Sequence, residues 1–185
     1  MKRLIPILML AAAALPAQAV EYNAVQSAKS SLSFGYRQMG VAMDGRFSRF
    51  SAQLAFDPAK PAAARASIEV DLTSIDAGSA EANDEVAGKQ WFNTKAFPVA
   101  RFVADAVKPL GGNRYEVRGK LSIKGRTQEV VAPATFTQQA GAAAFDGVFQ
   151  IKRADFAIGE GAWADFGTVA NEISIKFHIL AAAGK

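Results

Sequence analysis

The chain has 185 residues, 50% of them hydrophobic and 21% charged, with 21 Lys and Arg against 17 Asp and Glu, one His and no Cys. That is one domain's worth of chain. The absence of cysteine excludes thiolate nucleophiles, disulfide frameworks, zinc–cysteine sites and haem attachment through paired cysteines, and one histidine is poor material for a transition-metal site.

Lys2-Arg3 precede an apolar run from Leu4 to Leu15, and Ala17-Gln18-Ala19 follows with small residues where a signal peptidase reads. This is the tripartite pattern of a secretory signal peptide over residues 1–19, with cleavage expected after Ala19 and a mature domain over 20–185. The run is shorter than the roughly 20 residues of a permanent anchor. Without Lys2 and Arg3 the balance becomes 19 basic against 17 acidic residues, net +2, which removes the electrostatic case for a nucleic-acid partner. In a Gram-negative host the periplasm is the expected destination.

Beyond the signal, apolar residues recur at every second position, the signature of strands with one buried face. Leu32, Phe34 and Tyr36 share a face. A long run follows, with Val41, Met43, Gly45 and Phe47 in odd positions and Phe50, Ala52, Leu54 and Phe56 in even ones. The parity slips at Ser48-Arg49, which predicts a β-bulge there. Alternation resumes over 66–72, 100–106 and 115–123, and further strands are expected at 130–136, 145–151 and 173–179, about eight in all. From Ser79 to about Lys89 the alternation stops; a capping residue, early acids and a late Gly predict one short helix, followed by Trp91-Phe92. Short turns between strands favour antiparallel neighbours. Strand count and the inward-parity glycines Gly45, Gly119 and Gly147 favour a closed barrel with tight bends, and a two-sheet sandwich stays open as the alternative.

Such a barrel is either filled by its own side chains or holds one small ligand. Phe34, Tyr36, Phe47, Phe50, Phe56, Phe102, Tyr115, Phe136, Phe145, Phe149 and Phe177 fall on the inward parity among Ala and Gly, which suits a jigsaw core or the wall of a bore. Catalysis finds little support. His178 lies on the polar parity of the last strand, the carboxylates have no diagnostic pairing, and no serine sits in a nucleophile elbow. Arg37, Arg46 and Arg49 surround the Gln38-Met39-Gly40 connection, either as a solvated hairpin end or as a basic rim for an anionic headgroup.

The segments Phe34-Gly35-Tyr36-Arg37-Gln38-Met39-Gly40, Gly45-Arg46-Phe47 and Phe56-Asp57-Pro58 resemble the opening of the YceI-like proteins. The resemblance continues through Thr73-Ser74-Ile75-Asp76, Trp91-Phe92-Asn93-Thr94 with Phe97-Pro98, Gly119 to Thr127, and Asp155-Phe156-Ala157-Ile158. It implies an all-β fold, an extended eight-stranded antiparallel lipocalin-like barrel with one short helix near the pore opening. It also implies a non-catalytic role in the periplasm, holding a polyisoprenoid or similar amphiphile in an apolar pore, with no cofactor or metal. The pore residues are then Phe34, Tyr36, Phe47, Phe50, Phe56, Trp91, Phe92, Phe97, Phe102, Phe149 and Phe177, and the mouth Arg37, Gln38 and Arg46. Many members carry His where this chain has Gln38, and Arg-Asp then His-Leu where it has Ala82-Asn83 and Glu85-Val86. Fewer cationic groups there disfavour a pyrophosphate and favour a neutral headgroup such as a quinone ring. The rival expectation is an interaction module with a filled barrel that contacts a membrane redox or stress-response protein. The sequence does not fix an oligomeric state.

Overall fold

The computed structural model describes residues 20–139 and 141–184, so the expected signal peptide lies outside the described residues. The elements are β1 (Tyr22–Val25), β2 (Ser31–Gln38), β3 (Val41–Phe47), β4 (Phe50–Ala55), β5 (Arg65–Asp71), β6 (Ile75–Asp76), α1 (Ala80–Ala87), β7 (Val99–Gly111), β8 (Arg114–Ile123), β9 (Arg126–Gln139), β10 (Ala142–Lys152) and β11 (Glu172–Ala183). All eleven strands belong to one antiparallel sheet, ordered β4-β5-β7-β8-β9-β10-β11-β2-β3-β6, with β1 on β11. Counted with β3 and β4 as one bent run, and without the short β1 and β6, the sheet has eight principal strands. It forms a curled, lipocalin-like wall rather than a sandwich.

The parity slip at Ser48-Arg49 is a break between two strands and not the expected β-bulge, since β3 and β4 share no partner strand, and closure follows from it. The chain breaks pairing between Phe47 and Phe50, so β3 pairs with β2 while β4 pairs with β5, and the two ends of the sheet meet along one continuous segment. The break is stitched to the turn after β5: the Arg49 N–H donates to Ser74 Oγ at 3.0 Å, and the Asp71 N–H to the Arg49 carbonyl at 3.1 Å. At the other end Tyr22 and Phe56 exchange backbone hydrogen bonds of 2.8 and 3.1 Å, which ties β1 to the end of β4. β9 and β10 pair only from Gln139–Ala142 to Thr135–Asp146. Pro133, which has no N–H to donate, lies just beyond that ladder, as a proline within a strand requires.

The three inward glycines have a different role from the bends expected of them. A Cβ on Gly45, Gly119 or Gly147 would run into the ring of Phe34, Phe102 or Phe177 respectively. Each glycine is a seat that lets a phenylalanine lie flat against the wall instead of standing across the interior.

Two apolar clusters fill the ends unequally. At one end Tyr22, Phe56, Tyr115, Phe136 and Phe145 form an aromatic plug, with Phe56 5.1–5.2 Å from the ring centroids of Tyr115, Phe136 and Phe145. At the other end Leu72, Trp91, Phe156, Ile158 and Val169 pack beneath α1 and the 157–170 connection. α1 starts where Ser79 Oγ accepts from the Ala82 N–H at 3.1 Å and stops at Gly88.

Candidate functional site: an apolar cavity beneath the helix

Between the plug and α1 lies a cavity of about 580 Å³, within the roughly 300–1,000 Å³ usual for small-molecule sites. The interior is therefore not filled from end to end, and the filled-barrel expectation does not hold. Phe34, Tyr36, Phe47, Phe56, Trp91, Phe92, Phe102, Phe149 and Phe177 all line it, with aliphatic wall residues such as Leu32, Ile68, Val70, Leu121, Ile151 and Ile175. The cavity is a cup: Phe56 belongs both to its lining and to the plug. Of the other inward aromatics, Tyr115 and Phe145 border its floor, whereas Phe136 is consumed by the plug.

The mouth is framed by three segments. Tyr36 and Gln38 come from the β2–β3 hairpin, Glu81, Ala82, Glu85 and Val86 from α1, and Ile158, Trp163 and Val169 from the 157–170 connection. The Tyr36 hydroxyl donates to the Ala77 carbonyl at 3.2 Å, and burial pushes this phenol above its ordinary value. Asn83 Oδ1 accepts from the Ala77 N–H at 2.6 Å, which binds the helix to the same turn. Gln38 pairs with Val169, and the Met39 N–H donates to the Thr168 carbonyl at 2.9 Å, joining the hairpin to the connection.

Four expected site residues lie elsewhere. Phe50, opposite Val70 just after the strand break, is absorbed by core packing and does not border the cavity. Phe97 turns outward over the β8–β9 hairpin, because a left-handed Asn93 redirects the chain and Phe97 covers Gly125. Arg37 is exposed, its Nη1 donating to the Gly40 carbonyl at 3.1 Å. Arg46 points outward and pairs with Asp76 at 3.0 Å. The basic rim is thus absent from the lining: in a strand the residues flanking inward Tyr36 and Gly45 must face out. His178 bonds Asp146 through Nδ1 at 2.7 Å on the outer face.

The residue the sequence reading missed is Arg153. It is 1% exposed and lines the cavity. Its Nε donates to the Ala170 carbonyl at 3.1 Å, Nη1 to Ile158 at 2.9 Å and Gly159 at 2.8 Å, and Nη2 to Trp163 at 2.7 Å, Val169 at 2.8 Å and Asp165 at 3.5 Å. The guanidinium also lies 5.6 Å from the Trp91 ring and 5.1 Å from Phe166. Burial lowers its pKa, opposed by the nearby Asp165 carboxylate. Arg153 folds the 157–170 connection around itself and so places Trp163 and Val169 at the mouth. One arginine at a strand end carries no periodic signal, because the six carbonyls it gathers come from residues 158–170.

Trp163 completes the mouth. Its Nε1 donates to Glu85 Oε1 at 2.6 Å, and its ring centroid lies 5.4 Å from that of Trp91. Trp91 lines the cavity, is 8% exposed, and has no hydrogen-bond partner for its buried indole N–H. Such an orphaned donor is uncommon in a folded protein. Among the described residues no group of three or more His, Cys, Asp or Glu is placed to hold a metal ion.

A single curled antiparallel sheet around an apolar cup with one helix at its mouth defines the class: a lipocalin-like fold. Residues 23–181 match the YceI-like domain, and the chain belongs to that family. A UPF0312 protein of Pseudomonas fluorescens is 30% identical over 142 residues, 71% of this chain and 70% of the relative. The crystal structure of Burkholderia cenocepacia BcnA is 47% identical, with a TM-score of 0.83 over 85% of this chain and 99% of that one. A polyisoprenoid-binding domain from Saccharophagus degradans, described as implicated in plant cell wall breakdown, shares the fold at 16% identity, with a TM-score of 0.69 over 89% of this chain and 99% of that one.

Proposed function

We propose that this protein is a non-catalytic periplasmic carrier that holds an isoprenoid amphiphile, its tail in the cup and its headgroup between α1 and Trp163. The observation that carries the reading is the cavity itself: its lining is mainly aromatic and aliphatic, with Gln38, Glu81 and Glu85 at the α1 end and Gln53 and Arg101 on the β4 and β7 walls. The polyisoprenoid-binding domain that shares the fold supports the same class of ligand. Each CH₂ moved from water into the cup contributes about 0.8 kcal/mol. A bilayer shelters the tail equally well, so selection between lipids falls to the shape of the cup and the polar groups at its mouth. The orphaned Trp91 N–H and the Gln38 amide favour a neutral headgroup that accepts hydrogen bonds, of which an isoprenoid quinone is one.

Exchange would take place at a membrane, directly or through a membrane redox protein. Met39 and Val41, 77% and 62% exposed, extend the hairpin beyond Gln38 and give the mouth an apolar lip suited to touching lipid. The test is organic extraction of gently purified protein followed by mass spectrometry. A bound prenyl lipid or quinone is expected; a sample that yields none and also refuses added prenyl lipid refutes the reading. A mature N-terminus at Val20 in the periplasmic fraction is expected from the export signal.

A further inference from the structure

This inference rests on the reading that the cup takes a prenyl tail, and it concerns the group such a tail can carry. Four cations at or near the mouth are engaged, and Lys89, in the outer groove beside Glu85, has no ion pair among the described residues. Arg153 spends its donors on backbone carbonyls, and Lys124 donates to the Ala157 carbonyl at 2.6 Å and to Glu160 at 3.0 Å. Arg101, which borders the cavity on its β7 side, pairs with Glu69 at 3.4 Å, and Arg46 pairs with Asp76. Arg37 is not part of the lining. The anions are placed the other way. Glu81 and Glu85, one helical turn apart on α1, both border the cavity and both are exposed. Lys89 shares an outer groove with them, yet among the described residues neither carboxylate has a cation within ion-pairing distance.

We propose that Glu81 and Glu85 form a charge filter at the mouth, which lets an uncharged headgroup settle beside Trp91 and turns away the same tail carrying a phosphate, pyrophosphate or carboxylate. A tail lodged in the cup brings its headgroup to the level of α1, where an anion meets two unpaired carboxylates, while Lys89 lies in the outer groove and not in the cavity lining. Between water and a protein surface, one like charge some 6 Å away weakens binding about tenfold. Salt would erode the effect, since the Debye length falls to roughly 3 Å at 1 M. The position of Glu81 beside the Ser79 cap is consistent with this: hydrogen bonds from its own backbone N–H and from Ser79 hold its carboxyl below the ordinary value, so it stays charged near neutral pH.

The protein contains two tryptophans, Trp91 and Trp163, and both border the mouth, so intrinsic fluorescence reads this site directly. The full-length mature protein would be titrated with geranylgeraniol and with geranylgeranyl monophosphate, which share one tail. The alcohol should bind more tightly than the phosphate. The double variant Glu81→Gln/Glu85→Gln should narrow that ratio by about tenfold or more, the alcohol's own affinity in each protein serving as the internal reference. Gln at position 85 keeps an acceptor for Trp163, and Glu21→Gln/Asp105→Asn, beside Tyr22 and Val107 of the apolar cluster at the plug end, controls for the loss of two negative charges. Equal binding of the two ligands by the parent protein, or a ratio that the double variant does not move, overturns the filter. If neither ligand binds any of the proteins, the cup is not a prenyl site and the filter falls with the function.

Discussion

Arg153→Met would remove the side chain that makes the most hydrogen bonds to the 157–170 connection, and its consequence can be worked from the contacts. Six carbonyls, of Ile158, Gly159, Trp163, Asp165, Val169 and Ala170, lose their donor together, that of Asp165 the longest bond at 3.5 Å. Each orphaned buried acceptor costs about 1–3 kcal/mol in isolation, but the connection lies at the surface and can open to water. The loss is therefore bounded nearer the roughly 3–5 kcal/mol seen when one partner of a buried charged network is removed. For a domain of this size that lowers Tm by about 6–20 °C. Arg153→Lys should recover only part, because an ammonium cannot present the planar fork that reaches both sides of the turn. Urea unfolding gives the magnitude, and amide hydrogen exchange locates it: protection should fall first in residues 158–170 and not in β7–β8. Ligand binding should weaken with it, as Trp163 and Val169 leave the mouth. A variant that loses under about 1 kcal/mol with unchanged exchange in that connection would refute the assignment of Arg153 as its organiser.

Three further outcomes follow from other parts of the wall. Gly147→Val should cost about 1–3 kcal/mol and displace Phe177 into the cup, since the new Cβ collides with that ring and with the Pro133 carbonyl; thermal unfolding and a fall in lipid capacity check it. Phe102→Asp should abolish lipid uptake with the circular dichroism spectrum preserved, whereas Phe97→Ala, outside the lining, should leave uptake unchanged; equal losses would mean that the cup is not the binding surface. The Asp71 carboxyl is held below its ordinary value by hydrogen bonds from the Thr73 hydroxyl at 2.6 Å and from Arg49 Nε at 2.9 Å. A folded-state pKa below the unfolded value adds stability above the unfolded pKa, near 3.9, and loses it as pH falls through the folded one. Asp71→Asn should flatten that acid limb in urea titrations from pH 5 down to pH 2, and an unchanged slope would count against it.

Much of the wall is legible in the chain because a strand's faces follow from local parity alone. The run Tyr115 to Ile123, the slip at Ser48-Arg49 and the Ser79 cap each state their structure within a few residues, and β8, the β3–β4 break and α1 stand where those signals put them. Parity likewise separates inner from outer residues, and nine of the eleven expected pore aromatics border the cavity. Parity cannot tell a plug from a lining. Phe136 and Phe149 share the inner face and differ only in depth along the barrel, which depends on stagger between strands distant in sequence. Phe50 and Phe97 fall outside the lining for a different reason, since core packing takes the ring of Phe50 and the left-handed turn at Asn93 precedes the segment that carries Phe97 over Gly125.

What the amino-acid order determined by itself was the all-β class, the antiparallel pairing and the bend, all of which rest on periodicities and caps spanning a few neighbours. Only the tertiary structure decided that the bore is a cup, that Arg153 is spent on backbone carbonyls, and that Glu81 and Glu85 are the charges at the mouth. Cavities, and the satisfaction of a buried charge, are sums over groups far apart in the chain, and short-range pattern does not record such sums.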